Sequence, residues 1–197
     1  KSVVKSAVRS FWHTALTTKA ASLSSLCYLR PAFLPLGQGP HPLWWTCLSS
    51  PTAVRAATVQ AKMLSGRYRS CWLRRHWTHE SGACRLPDCG IVPGDVAHIV
   101  SGECPALQQP LTQALTNIYE ILSPHPLLLP PLMAALQSDK EAFTTFILYP
   151  STDKLVIRLC QLQGPGILLP LFRVSRAWIW AAHRSRMRLL GLEQFLL

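Results

Sequence analysis

Acidic residues are scarce in this chain: nine Asp and Glu stand against twenty Lys and Arg in 197 residues, for a formal charge of +11. They gather nowhere densely enough to hold a pair of catalytic magnesium ions. Long apolar runs are missing too. The greasiest stretch, Leu127 to Leu136, is short and divided by Pro130 and Pro131, which excludes a membrane-spanning segment there. Lys5, Arg9 and His13 interrupt anything resembling a signal-peptide core. HExxH, GxSxG and GxxxxGK[ST] patterns are all absent, which removes the commonest sequence signs of a zinc protease, a serine hydrolase and a P-loop enzyme. No internal repeat is visible. Position 1 is Lys rather than Met, so a fragment or a processed product is expected.

What the chain does contain suits a folded domain. It is 49% hydrophobic, enough to fill a core, while 16 prolines predict broken connections between elements. Charge is unevenly spread. Residues 1–83 carry eleven basic residues and one acid, 84–153 carry two and seven, and 154–197 carry seven and one. Two basic flanks around an acidic middle point to a polyanionic partner; basic residues that only keep an apolar protein soluble are the alternative.

Periodicity predicts a mainly α fold. Val4, Val8 and Phe11 recur at helical spacing, followed by a proline-rich connection through residue 50 with Trp44 and Trp45. Ser50-Pro51 offers a cap and a first-turn proline for the next helix. Its apolar stripe would be Val54, Ala57, Ala61, Leu64, Tyr68 and Cys71, with Arg55, Lys62 and Arg69 on a basic face and Gly66 as a weak point. Leu111, Leu115, Ile118 and Leu122 mark a further helix, ended by a proline-broken apolar loop from Pro124 to Pro131. Ser138 and Glu141 have capping-box spacing. Leu155–Leu159 fits either strand or helix, Gly164-Pro165-Gly166 is a turn, and Phe172 to Leu190 is a basic final helix. Trp178 and Trp180 on that helix are candidates for base stacking or for core.

The richest chemistry lies between the basic flanks. Cys84-x4-Cys89-x8-His98-x5-Cys104 supplies three thiolates and one imidazole, the donor set that tetrahedral zinc prefers. With all four positions filled by protein, such a site is structural and helps fold a segment too short for its own core. Asp95 is a candidate partner for the His98 ring, Arg85 a neighbour of the ion, and His76 and His79 competing ligands. Three buried thiols and a satisfied histidine are the other reading. Seven cysteines, with Cys27, Cys47, Cys71 and Cys160 dispersed in apolar surroundings, suit a reduced compartment better than a disulfide scaffold.

Two stretches, VRAATVQAKMLSGRYRSCWLRRHW (Val54–Trp77) and ACRLPDCGIVPGDVAHIVSGECPAL (Ala83–Leu107), resemble the C-terminal part of the reverse-transcriptase polyprotein of LINE-class non-LTR retrotransposons. The tail LFRVSRAWIWAAHRSRMRLLGLEQFLL is similar to the end of such polyproteins. The likeness covers most of 54–197 and little of 1–53. It implies that Cys84, Cys89, His98 and Cys104 form a zinc knuckle that follows the polymerase and helps hold template RNA or target DNA. It also implies that Arg67, Tyr68, Arg74, Arg75 and His76 lead into that knuckle. The four-residue gap after Cys84 is wider than in the compact retroviral knuckle, and the Tyr-x-Asp-Asp turn of a polymerase is absent.

The expectation is therefore a small helical domain with an irregular zinc-knuckle-like insertion and proline-rich connections. Its parts would be an N-terminal helix and connection (1–50), a basic amphipathic helix (51–83), the knuckle (84–106) and a C-terminal helical region (107–197). It would carry structural zinc and no catalytic residues, in the nucleus or cytoplasm and off the membrane. RNA or DNA phosphates would be neutralised by Arg55, Lys62, Arg67, Arg69, Arg74, Arg75, His76, Arg184, Arg186 and Arg188. Possible company is an upstream reverse-transcriptase domain. A structural fragment packing on a polymerase is the alternative function.

Overall fold

A computed structural model describes residues 2–22, 50–70, 81–124, 126, 129–150 and 154–192. The proline-rich connection with Trp44 and Trp45, and Cys27, Cys47, Cys71, Arg74, Arg75, His76 and His79, lie outside the described residues. The protein is mainly helical, with no strand among the described residues. Its helices are α1 (Ser2–Ser22), α2 (Pro51–Leu64), α3 (Val96–Val100), α4 (Gln108–Leu122), α5 (Leu129–Ser138), α6 (Lys140–Leu148), α7 (Lys154–Gln163) and α8 (Leu168–Leu189). Short 3-10 turns, Pro105–Leu107 and Pro165–Ile167, precede α4 and α8. None of the helices is long and apolar enough to cross a membrane, among the described residues.

The start of α2 follows its sequence signals. Ser50 Oγ accepts a hydrogen bond from the Ala53 backbone at 3.1 Å, and Pro51 takes the first helical position. The helix then ends earlier than its apolar spacing suggests. Gly66, at φ +66°, donates to Met63 O while Arg67 N donates to Lys62 O. This paired closure needs a left-handed residue, which glycine adopts without a Cβ penalty. Gly66 is thus a stop rather than a bend, and Tyr68 and Arg69 lie beyond the helix. The buried face is Ala56, Ala57, Val59, Gln60, Met63 and Leu64, whereas Val54 is exposed.

Three other boundaries differ from expectation. Pro130 and Pro131 lie in the first turn of α5, where a missing N–H costs nothing, so the expected loop is partly helix. Asp139, not Ser138, caps α6, its carboxylate accepting from Glu141 N and Ala142 N. The ambiguous Leu155–Leu159 stretch lies within α7.

α8 is the central strut. It packs on α4, α2, α6, α3 and the 105–107 turn. Leu171, Phe172, Trp178, Ile179 and Ala182 from α8 join Leu111, Ala114, Ile118 and Leu122 from α4 and Phe143, Phe146 and Ile147 from α6 in one core. Cys84, Leu86, Ile99, Val100 and Cys104 belong to that same core. Two buried polar contacts pin the helices. Trp178 Nε1 donates to Val100 O at 3.1 Å, and Gln60 Nε2 donates to Leu148 O at 2.8 Å. The first ties α8 directly to the segment carrying His98.

Candidate metal centre

The cysteine–histidine segment folds back on itself through backbone hydrogen bonds. Cys84 N donates to Ile91 O at 2.9 Å and Gly94 N to Gly82 O at 2.9 Å. Between the first two cysteines, Cys89 N donates to Leu86 O, closing a four-residue turn with Pro87 second and Asp88 third at φ +58°. Proline second and a left-handed residue third is the type II arrangement, and it returns the Cys89 sulfur to Cys84. Gly94 is required for a different reason. A Cβ there would lie 2.8 Å from Cys84 N and 2.9 Å from Cys84 Cα, backbone atoms that cannot move aside. His98 comes from the one-turn α3, which Asp95 caps by accepting from His98 N at 2.8 Å.

These elements bring the four expected donors together. The sulfurs of Cys84, Cys89 and Cys104 and a ring nitrogen of His98 all lie within 4.8 Å of one another. Cys84 Sγ is 4.0 Å from Cys104 Sγ, and Cys89 Sγ is 3.3 Å from His98 Nε2. A tetrahedral ion with bonds of about 2.3 Å to sulfur and about 2.0 Å to nitrogen needs separations of roughly 3.8 and 3.5 Å. The two separations lie close to those values, and the four donors are grouped tightly enough to hold a small cation. Cys84, His98 and Cys104 are buried and Cys89 is half-buried.

Burial sets the protonation chemistry. It pushes the Cys84 thiol up, and it pushes Cys104 up to about 12 with help from the neighbouring Cys84. The Cys84 and Cys104 thiols therefore keep their protons unless a cation replaces them, and metal binding would release those protons. Burial also lowers the His98 imidazole, partly opposed by Glu103, which favours the neutral ring that ligation needs. Asp95 hydrogen-bonds the His98 backbone and reaches the ring only through its charge, the smallest of the influences on it. The carboxylate facing the ring is Glu103, with Oε2 at 3.6 Å from Nδ1. Nothing in the spacing of ligands singled it out, although its place directly before Cys104 is a signal of a kind. Arg85 is exposed.

The basic residues fall into two classes. Arg55, Lys62, Arg67, Arg69, Arg184 and Arg188 are exposed. Arg186 is not. Its guanidinium donates to Arg69 O at 3.1 Å, lies 3.5 Å from Tyr68 Oη and sits over the Tyr68 ring. Its buried guanidinium joins α8 to the segment after α2, a place in the interior where the sequence suggested a phosphate contact. Tyr68 Oη also shares a hydrogen bond with His183 Nδ1 at 3.0 Å. Trp178 is core, which removes it as a stacking platform, while Trp180 is half-buried beside His183. Compared with known proteins, the chain matches no family model, no curated protein and no solved structure.

Proposed function

We propose that this chain is a non-catalytic nucleic-acid-binding segment of a LINE-class reverse-transcriptase protein, clipped together by one structural zinc ion. Zinc is the reading that best suits three thiolates and one imidazole in a closed tetrahedral shell. Its role is to hold the 82–104 segment against α8, so that the basic residues on either side of that segment meet.

The observation that carries the binding role is the meeting of two basic stretches far apart in sequence. The Arg186–Tyr68–His183 contacts join the end of α2 to the end of α8. Lys62, Arg67 and Arg69 thereby come to the same end of the molecule as Arg184 and Arg188, and the Lys62 and Arg186 charges both bear on His183. α2 and α8 contain no acid to offset them. Such a surface neutralises phosphates without reading bases, so binding should be insensitive to sequence and fall steeply with salt.

Two measurements test the reading. Native mass spectrometry of the purified chain should show one zinc, lost in Cys89→Ser and in His98→Ala. Titration of single-stranded RNA and duplex DNA across a salt series should give a steep negative slope; weak, salt-insensitive binding overturns the nucleic-acid role. A second reading, docking on a polymerase domain, draws on α1, where Val4, Val8, Phe11 and Trp12 are exposed. It would show as aggregation of the isolated chain relieved by that upstream domain.

A further inference from the structure

His98 is fully buried, and one ring nitrogen, Nε2, faces Cys89 within the cluster. The other, Nδ1, is buried without a hydrogen-bond partner. An unpartnered ring nitrogen in a closed interior is costly unless something completes it. The group turned toward it is the carboxylate of Glu103, at 3.6 Å, and the same oxygen is gripped by Lys140 Nζ from the first residue of α6. Imidazoles that bind metals usually give their second N–H to a carboxylate or carbonyl, which fixes the tautomer and strengthens the donor.

We infer that Glu103 is the positioning residue of this centre: its carboxylate accepts a hydrogen bond from Nδ1–H of His98, which keeps the proton on Nδ1 and Nε2 bare for the ion, while Lys140 holds the carboxylate in place. The inference rests on the metal reading above and deepens it. The Lys140–Glu103–His98 series also joins the centre to α6, whose Phe143, Phe146 and Ile147 are in the core. Occupancy of the cysteine cluster is therefore felt by a helix that supplies no ligand. Both Glu103 and Lys140 are substantially exposed at the side chain, so replacing either leaves no buried void.

The test compares zinc affinity, by competition with a chromophoric chelator, in the parent chain and in Glu103→Ala, Glu103→Gln and Lys140→Met. Loss of the carboxylate partner should weaken zinc by about 10–100-fold. Glu103→Gln, which keeps a neutral acceptor, should lose less, and Lys140→Met least. Long-range proton–nitrogen spectra of the zinc-loaded parent should show His98 protonated at Nδ1, with that proton shifted by the carboxylate and the shift gone in Glu103→Ala. A purely structural role for Glu103 would leave that signal unmoved. Parent and Glu103→Ala chains binding zinc equally well, with the same Nδ1 signal, would overturn the inference. A parent chain that takes up no zinc would instead overturn the metal reading on which it stands. Should Glu103→Ala fail to fold, the graded order of the Gln and Met variants decides.

Discussion

α1 and α8 are near twins on paper and opposites in the fold. They are 21 and 22 residues long, both are basic, both lack acids and both carry apolar residues at helical spacing. In α8 the apolar face is spent on the core: Leu171, Phe172, Trp178, Ile179 and Ala182 are buried. In α1, Val3, Val4, Val8, Phe11 and Trp12 are exposed, and Phe11 and Trp12 meet edge-on. Amphipathic periodicity states that a face can be buried; only the presence of complementary faces decides whether it is. α8 has four such faces around it. Its stability is tertiary, whereas the apolar face of α1 packs into no comparable set of helices among the described residues.

The sharpest way to break this contrast is to truncate the same residue type in both helices. Trp178→Ala removes a fully buried indole and its bond to Val100 O, and should cost about 3–5 kcal/mol in urea unfolding. Trp12→Ala, on the exposed helix, should stay within about 0.5 kcal/mol. Equal effects would show that α1 is as deeply integrated as α8. Because Val100 follows His98 by two residues, Trp178→Ala should also weaken the proposed zinc binding. Next in size is Arg186→Met, which keeps most of the side-chain volume but leaves Arg69 O without its buried donor. About 1–3 kcal/mol is expected from that unpaired carbonyl.

The uneven legibility of the sequence has the same origin. Of the stripe Leu111, Leu115, Ile118 and Leu122, three residues are buried and Leu115 is half-buried, with Ala114 completing the buried side of α4 instead. The Cys84–Cys89–His98–Cys104 cluster is legible because residue type and short spacing are both local properties. The end of α2 was missed for a physical reason. Apolar spacing continues through Leu64 to Tyr68, but one left-handed glycine closes the helix, and Tyr68 reaches the core from a non-helical segment. Arg186 and Glu103 were misjudged or overlooked because their roles depend on partners over a hundred and about forty residues away, Tyr68 and Lys140. No local pattern encodes such pairings. The same holds for the merging of the two basic stretches, which are separate in sequence and adjacent only after α2 and α8 pack.

Where those helices join, His183 offers a pH-dependent readout. Burial, then the charges of Arg186 and Lys62, lower its imidazole to about 4 from an ordinary 6.5. The ring is neutral in the folded protein at pH 7 and in the unfolded chain is close to neutral as well. As pH falls below 6.5 the unfolded chain takes up a proton that the folded protein refuses, so stability drops until about pH 4. His183→Gln should flatten that part of the profile. The readout is the difference between parent and variant in urea midpoint from pH 7 to 4, in which contributions from His98 and the thiols cancel. A parallel pair of profiles would mean that His183 is not held neutral by the seam.

The smallest effect expected on stability separates the two kinds of arginine on α8. Arg184 is exposed and Arg186 buried, only two positions apart, because a two-residue step turns a helix by more than half a circle. Arg184→Gln should therefore change urea stability by no more than about 0.5 kcal/mol. If Arg184 contacts a phosphate, the salt dependence of RNA binding should lose about one unit of slope, equally for unrelated sequences. Arg186→Met should do the reverse, lowering stability while leaving the slope of the folded fraction close to the parent's. Should the two substitutions exchange these signatures, Arg186 would be the phosphate ligand and Arg184 the structural residue, and α8 would have to sit rotated against α2.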